Sequence, residues 1–311
     1  YKRQGLHAMA NPRFAAIRSL ANALAQMCGA KLGYLPAGAN SAGAWLAGAL
    51  PHRGPADQSV AQGKHALQMI SEGMNAFVVL NLEPEFDCAN PSEALSAFNN
   101  ADFVIALTPY ATDTMRAYAD VLLPIAPFTE TSGTYVNAEG RWQSFSACVK
   151  PLAESRPAWK ILRVLGNFLK LDGFDYITSE EVRDELDTQT SGLQVSAESE
   201  VTAVEPGATR NELTRIGHLP LYAVDNIVRR AQPLQTTDDS LSAMVAVNPA
   251  TAQKLGLTGG ASAIVVQNNR RISMPVYIEA AIPDDCAFIP AGVAGSSELG
   301  LSYGPIEVDA G

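Results

Sequence analysis

Three short apolar runs, separated by helical stretches, constrain the fold of this chain more than any other feature. The runs cover residues 77–82, 103–107 and 121–125, and the intervening patterns predict helices over 91–98 and 113–118. Strands that alternate with helices over short connections predict right-handed crossovers and a parallel sheet. Because the run at 77–82 is continuously apolar, we expect a strand that is buried on both faces.

The third run leads into a loop that is crowded with polar groups, from Thr129 to Arg141. In α/β proteins a ligand site commonly lies where a polar, glycine-containing loop follows the end of a strand. Composition alone equally allows a structural loop that only hydrogen-bonds to itself. Both interpretations stay open at this point.

The second half of the chain changes character. Residues 188–220 are polar and turn-rich, which predicts a linker or an irregular arm between domains. From residue 221 onward, short strands with Gly-Gly and Pro-Asp turns predict a small β-barrel that one helix interrupts. The predicted domains are the end of an α/β domain (1–75), an α/β domain with a parallel sheet (76–187), the arm (188–220) and the barrel (221–311).

Composition and charge exclude several classes of function. The 311 residues carry a formal net charge of −10, which disfavours nucleic acid and other phosphate-rich partners. No apolar run approaches the length of a membrane span, so direct membrane insertion is not expected. The chain starts at Tyr1 rather than methionine, and we expect it to be a piece of a longer polypeptide.

The cysteines and histidines do not form a local metal motif. The four cysteines include no Cys-x-x-Cys pair, so iron–sulfur or zinc sites with local spacing are not predicted. Their wide spacing favours buried free thiols in a reducing compartment, with two disulfides as the alternative. No metal ligand and no catalytic triad are predicted.

Residues in and around the polar loop resemble the signature of the molybdopterin oxidoreductase superfamily. The resemblance lies in AlaAspValLeuLeuPro at 119–124 and in Glu-x-x-Gly-Thr-Tyr-x-Asn-x-Glu-Gly-Arg at 130–141. Residues 108–114 match that family's helix-opening segment, and residues 248–260 resemble part of its C-terminal barrel. The resemblance implies parallel-sheet α/β domains of the molybdopterin oxidoreductase type plus a double-psi-like β-barrel. The candidate cofactor-binding residues carried over are Thr108, Thr112, Glu130, Gly133, Thr134, Asn137, Glu139 and Arg141.

Within that superfamily, residues 221–231 resemble the linker of the large iron–sulfur subunit of bacterial NADH-quinone oxidoreductase, respiratory complex I. This resemblance implies a structural module that has no redox centre or bound cofactor of its own, with iron–sulfur clusters upstream in the parent chain. The parent complex would be a proton-translocating NADH:quinone oxidoreductase. The implied partners are other subunits of its peripheral arm, on the cytoplasmic side of the bacterial inner membrane. The loop would then be architectural, with Arg141 paired with Glu130 or Glu139.

The alternative is a piece of a catalytic molybdenum or tungsten oxidoreductase, similar to a formate dehydrogenase or nitrate reductase. In that case the polar loop would bind molybdopterin guanine dinucleotide. The turn at 81–87 argues against this alternative, because Glu83, Glu85 and Asp87 would repel a pyrophosphate by about a few kcal/mol. We expect Glu83 and Glu85 to be solvated. A third hypothesis is a non-redox scaffold that kept only the fold.

Overall fold

The structure is a computed structural model with an α/β part and a β-rich part. It describes residues 2–4, 8, 11–36, 38–193, 201, 204 and 212–311. The helices are α1 (Phe14–Met27), α2 (Ser41–Leu46), α3 (Ala66–Glu72), α4 (Pro84–Asp87), α5 (Pro91–Asn99), α6 (Asp113–Tyr118), α7 (Ala158–Phe168), α8 (Ser179–Thr190), α9 (Asn226–Arg229), α10 (Gln232–Gln235) and α11 (Pro249–Leu255). The strands are β1 (Lys2–Gln4), β2 (Leu32–Tyr34), β3 (Ala76–Leu80), β4 (Phe103–Thr108), β5 (Val121–Pro124), β6 (Gly133–Val136), β7 (Trp142–Phe145), β8 (Thr214–Ile216), β9 (Val245–Val247), β10 (Ser262–Gln267), β11 (Arg270–Ile278), β12 (Cys286–Phe288), β13 (Gly304–Pro305) and β14 (Glu307–Ala310).

The described residues fall into two compact units. Unit 1 comprises residues 1–73, 77–81 and 103–205, and unit 2 comprises residues 74–76, 82–102 and 206–311. The domain boundaries predicted at 76, 188 and 221 stay a prediction. Within the predicted arm, α8 ends and β8 lies in the barrel sheet, while 194–200, 202–203 and 205–211 lie outside the described residues.

Unit 1 contains a three-stranded sheet in the order β3-β4-β5. Strands β4 and β5 are parallel, with Ile105 opposite Val121, so the predicted parallel sheet is confirmed. The expectation that the run at 77–82, in β3, is buried on both faces is wrong. Phe77 and Val79 are buried, whereas Val78 is 54% and Leu80 47% exposed. The run is apolar on both faces, but only one face is covered in this structure.

Capping side chains define where α6 and α8 of unit 1 begin. Thr112 accepts a hydrogen bond from the backbone N–H of Met115, and α6 begins at the next residue, as its sequence predicts. Thr178 and Glu181 form a capping box at the start of α8. Strands β6 and β7 form an antiparallel hairpin within the polar loop, which the sequence did not predict.

Unit 2 contains a seven-stranded sheet in the order β13-β8-β12-β9-β11-β10-β14. The pairs β9–β11 and β8–β12 are parallel and the other pairs are antiparallel, which gives a mixed, nearly closed barrel. The alternating inward side chains fill the interior. The interior includes Val245, Val247, Ala263, Val265, Met274, Val276, Ala287 and Ile289. The predicted barrel is therefore confirmed at this level, and its double-psi topology stays a prediction.

None of the helices in the described part of the chain has the length and apolar character that a membrane crossing requires.

Candidate functional site

An acidic turn with Glu83, Glu85 and Asp87 follows β3, and these three residues belong to unit 2. Glu83 precedes α4, and its side chain is only 1% exposed. Asp87 ends α4, and its Oδ2 accepts a hydrogen bond of 2.7 Å from the backbone N–H of Glu83. The expectation that Glu83 is solvated is wrong. A carboxylate that is this deeply buried requires a positive partner.

Two arginines of unit 2 supply that partner. Asp225 caps α9 by accepting hydrogen bonds from the backbone N–H groups of Ile227 and Val228. This short helix presents Arg229 at its end and Arg230 directly after it. Arg229 Nη2 lies 2.7 Å from Glu83 Oε2, and Arg230 Nη2 donates to Glu83 Oε1.

Arg229 is saturated by its neighbours. Its guanidinium donates to Glu83 through Nε and Nη2, to Asp87 through Nη1 and Nη2, and to the carbonyl oxygen of Ala223 through Nη1. A guanidinium has five N–H donors, so these five bonds use all of them. The ring of Phe86 lies 5.2 Å from the guanidinium carbon and adds a cation–π contact.

The titration behaviour reflects this pairing. Burial alone would raise the pKa of the Glu83 carboxyl, but hydrogen bonds and charges from Arg230 and Arg229 outweigh it and hold this pKa below its ordinary value. Burial alone would lower the pKa of Arg229, but Asp87 and Glu83 raise it above its ordinary value. The Glu83–Arg229 pair is therefore ionised at neutral pH.

A cavity of about 670 Å³ lies beside this arginine–carboxylate cluster, defined as Glu83, Asp87, Arg229 and Arg230. That volume is in the range of small-molecule and cofactor sites. The cluster contains two carboxylates and two guanidiniums, so it contributes no net charge to the cavity. The expected repulsion of an anion by Glu83 and Asp87 is therefore offset by the arginines. Other lining residues are Phe86, Tyr222, Gln235, Ser240 and Gly292.

The polar loop lies in unit 1 and is organised around the β6–β7 hairpin. Asn137 Oδ1 accepts hydrogen bonds of 3.0 Å and 2.9 Å from the backbone N–H groups of Glu139 and Arg141, which closes the hairpin turn. Gly140 has φ = +79° in this turn, a conformation that favours glycine. A Cβ at Gly133 would lie 2.9 Å from Phe145 Cζ, so a larger residue there would displace the Phe145 ring.

The remaining candidate residues also make local contacts. Thr134 Oγ1 and Ser144 Oγ lie 2.9 Å apart across the hairpin. Thr108 Oγ1 donates to the carbonyl oxygen of Tyr110, and Thr112 caps α6. None of these residues is excluded as a ligand contact by this geometry, and their role in cofactor binding stays a prediction.

The expected pairing of Arg141 with Glu130 or Glu139 is wrong. Glu130 Oε2 instead accepts a hydrogen bond of 3.0 Å from the backbone N–H of Leu152. Across the residues that the structure describes, Arg141 takes part in no ion pair. Arg141 is exposed at the hairpin turn, where its short separation from Glu139 does not bring the two charges together.

A second cavity, of about 230 Å³, is lined by residues of this loop and by residues from an earlier part of unit 1, around Asn40. Asn40 Oδ1 accepts a hydrogen bond of 2.7 Å from the backbone N–H of Val136 and so joins the small-residue loop before α2 to the hairpin. Ser132 and Ser179 hydroxyls lie 3.0 Å apart in its wall. The indole nitrogen of Trp159 is buried in this region without a hydrogen-bond partner among the described residues. The lining of this cavity is mostly apolar, with a few polar groups such as Asn40, Ser132 and Ser179.

The cysteines do not form a metal site in the described residues. All four are free thiols, and Cys28 and Cys148 are exposed, so the expectation of buried thiols is wrong for these two. Burial, together with the charges of Asp87 and Glu85, raises the pKa of the Cys88 thiol to about 11. A protonated thiol is a poor metal ligand and nucleophile. Among the residues described, no group of three His, Cys, Asp or Glu side chains is placed to hold a metal ion.

Comparison with known families decides the class of protein. The family model described as "Molybdopterin oxidoreductase" matches residues 4–168, just over half of the chain. The chain belongs to the molybdopterin oxidoreductase family. The mixed fold, with a parallel sheet and a nearly closed barrel, agrees with that assignment.

Relatives and a solved structure add detail. Two proteins named "Putative formate dehydrogenase" from strains of Staphylococcus aureus are 40% and 38% identical to this chain over 91 residues. The matched stretch is 29% of this chain and only 9% of those relatives. Acetylene hydratase from Pelobacter acetylenicus has a similar fold, with a TM-score of 0.55 and 19% identity over 79% of this chain and 46% of that one. These relatives do not support the finer prediction of a complex I subunit.

Arg229 and Arg230 are the site residues that sequence reasoning missed. They lie in the stretch whose sequence resembles a linker, residues 221–231. Two signals were available: adjacent arginines after an Asp cap, and three carboxylates in one turn that need counter-charges. The separation of 146 residues between Glu83 and Arg229 hides their pairing from any local pattern.

Proposed function

We propose that this chain is part of an oxidoreductase of the formate dehydrogenase type within the molybdopterin family. The similarity to the staphylococcal relatives carries this proposal, since it is the highest identity among the proteins compared above. The chain covers less than half of the acetylene hydratase chain and a tenth or less of the staphylococcal relatives in the matched stretch. The activity therefore belongs to a longer protein, in which this chain supplies the two units.

The donor groups of the polar loop fit the anionic part of a molybdopterin cofactor. The side-chain amide of Asn137 and the exposed guanidinium of Arg141 can both donate to phosphate or pterin oxygens. When bound, such a cofactor supplies two-electron redox chemistry at its metal. Asn137 would keep the turn closed, and Arg141 would bind and orient an anionic group.

The arginine–carboxylate cluster does not fit a pyrophosphate. Arg229 has no N–H left to donate, and each bond to a phosphate would replace one to a protein acceptor such as Glu83 or Asp87. In the proposed function this cluster holds the turn at 81–87 in place and makes no contact with a phosphate.

Metal analysis and activity of the protein at its full natural length test the proposal. We expect about one molybdenum or tungsten per chain, and formate-dependent reduction of an artificial electron acceptor. Arg141→Gln should lower the metal content after dialysis, whereas Arg116→Gln, an exposed arginine in α6, should leave it unchanged. A full-length protein that contains iron but neither metal, and that does not oxidise formate, would overturn the proposal.

A second candidate is the complex I module, and the saturation of Arg229 favours it. The same stretch that resembles the linker of the large iron–sulfur subunit, 221–231, contributes the two arginines that close the acidic turn. In this second candidate the piece binds no cofactor, iron–sulfur clusters lie upstream, and other proteins of the peripheral arm, on the cytoplasmic face of the membrane, are the partners. We then expect the full-length protein to co-purify with NADH-dependent quinone reduction activity and to contain neither molybdenum nor tungsten. Purification as a separate, metal-containing formate oxidoreductase would contradict it.

A further inference from the structure

Helix α7 of unit 1 borders an apolar groove that neither candidate function uses. The groove has a volume of about 610 Å³. Its apolar lining consists of Leu123, Ile161, Val164, Leu165, Phe168 and Ile177. Phe168 is 80% and Ile177 72% exposed, so this lining is open to solvent. A contiguous exposed apolar surface of this kind indicates an interaction site.

The rim of the groove is positively charged. Arg156, Lys160 and Arg163 line it, and among the described residues no carboxylate does. Arg156 has a long ion pair of 3.8 Å with the exposed Glu154, and Lys160 Nζ lies 5.3 Å from the ring centre of Trp159. Arg156 Nη1 also donates to the carbonyl oxygens of Ser155, at 2.9 Å, and Ala153, at 3.4 Å, but within the described ranges no close carboxylate neutralises either positive charge at the rim.

Arg163 makes the strongest case for a missing acceptor. Its Nε–H is buried and has no hydrogen-bond partner in the part of the chain that the structure describes. Leaving a buried donor of this kind unpaired costs about 1–3 kcal/mol. Because the Nε atom itself is buried, an acidic group at the rim would reach it only after the Arg163 side chain reorients.

Helix α7 forms one wall of the groove. Lys160, Val164 and Phe168 are spaced four residues apart and lie on one face of α7. Eight residues of rise make a ridge about 12 Å long, which equals roughly two turns of a partner helix. Apolar positions at helical spacing would enter the groove, and flanking carboxylates would meet the rim.

We propose that the α7 groove binds an acidic amphipathic helix of a partner polypeptide. An anionic membrane surface offers the same chemistry, but the net charge of −10 on the whole chain would repel an extended anionic surface. A short helix meets only the local positive rim, because more distant charges are screened within about 8–10 Å at ordinary salt concentrations. The charge distribution therefore favours a helix over a membrane.

Binding of a designed peptide to the 311-residue chain tests the proposal. The probe is a fluorescein-labelled amphipathic peptide of about 15 residues, with leucines on one face and glutamates elsewhere. Its twin carries lysine in place of every glutamate. We expect saturable binding of the acidic peptide in fluorescence anisotropy, with a Kd that rises with salt, and binding at least about tenfold weaker for the lysine twin.

Variants locate the binding to the groove. Phe168→Ser should weaken binding of the acidic peptide about tenfold, and Arg163→Gln about fivefold with a smaller salt dependence. The matched controls are Phe128→Ser, which replaces an exposed phenylalanine elsewhere in unit 1, and Arg116→Gln. Because Phe168 is largely exposed, its replacement should leave the circular dichroism spectrum unchanged.

Three results would overturn the proposal. The first is no saturable binding of the acidic peptide. The second is equal binding of the lysine twin, or unchanged affinity in Phe168→Ser. The third is that the chain sediments with phosphatidylcholine vesicles that contain phosphatidylserine, while the Phe168→Ser variant does not. That result would assign the groove to a membrane surface instead.

Discussion

Replacing Glu83 by glutamine should destabilise unit 2 strongly. The substitution keeps the shape of the side chain but removes the charge that Arg229 and Arg230 share. Three hydrogen bonds from arginine end on this carboxylate, and the new amide group would place its own N–H donors against them. Removing one partner from a buried ion pair costs about 3–5 kcal/mol when the other charge stays buried without a partner, and we expect the lower end of that range because Asp87 stays paired with Arg229. That cost is a large part of a typical stability of about 5–15 kcal/mol.

Hydrogen exchange resolves this effect better than a global unfolding curve, because two units need not unfold together. All three tryptophans, Trp45, Trp142 and Trp159, lie in unit 1, so their fluorescence reports on unit 1 alone. We expect faster amide exchange in peptides from 82–102 and 221–235 of Glu83→Gln. The tryptophan unfolding transition should stay unchanged.

The matched control is an exposed ion pair of the same unit. Lys254 Nζ lies 2.6 Å from Asp285 Oδ1, with side chains 63% and 54% exposed. Asp285→Asn should cost less than about 1 kcal/mol. The reasoning is refuted if Glu83→Gln changes exchange no more than Asp285→Asn does.

The effect should also depend on pH. Because the folded-state pKa of Glu83 lies below its ordinary value, its contribution is fully present above the unfolded-state pKa and is lost as pH falls through the folded-state pKa. The difference in exchange between wild type and Glu83→Gln should therefore be constant near neutral pH and shrink in acid. A difference that does not shrink in acid would show that packing, and not charge, is responsible.

Three further substitutions test local features. Gly166→Ala should destabilise unit 1 by about 1–3 kcal/mol, because the new Cβ would lie 2.3 Å from Phe174 Cδ1. Tryptophan fluorescence in urea measures the stability of unit 1, and an unchanged stability would contradict the close packing. Asn137→Ala should cost about 1–2 kcal/mol locally by removing the acceptor that closes the hairpin turn, seen as faster exchange at residues 138–141. Asn248→Ala should cost about 1–2 kcal/mol by removing the cap on the backbone N–H of Thr251, and equal exchange in α11 would contradict that role.

Local patterns predicted the elements whose signals are local. Helix α11 starts at the proline after Asn248 and ends before Gly256, which has φ = +66°, because cap residues act within one turn. The strands β4 and β10 follow from short apolar runs in the same way. The family resemblance of the loop motif at 130–141 rests on a contiguous pattern, and the family assignment agrees with it.

Long-range contacts could not be predicted from such patterns. The prediction that β3 is buried on both faces used only its composition, and composition does not say what covers each face. The prediction for Glu83 failed for a related reason. Like charges in one turn look solvated until the arginines that neutralise them are found 146 residues away. The choice between a formate dehydrogenase type of protein and a complex I module could not be made from local patterns either, since it depends on what the polar loop and the arginine–carboxylate cluster bind.

Pyrophosphate binding to the arginine–carboxylate cluster would test the saturation of Arg229, the observation that favours the second candidate function. Because Arg229 donates all five N–H groups to protein acceptors, we expect inorganic pyrophosphate to leave amide exchange at 82–102 unchanged in the wild type. Glu83→Gln frees guanidinium donors, so the same pyrophosphate concentration should slow exchange in that variant. A ligand at about ten times its Kd stabilises a site by about 1.4 kcal/mol, which hydrogen exchange resolves. Protection of the wild type would mean that the cluster opens to accept a phosphate, and it would remove the observation that favours the cofactor-free module.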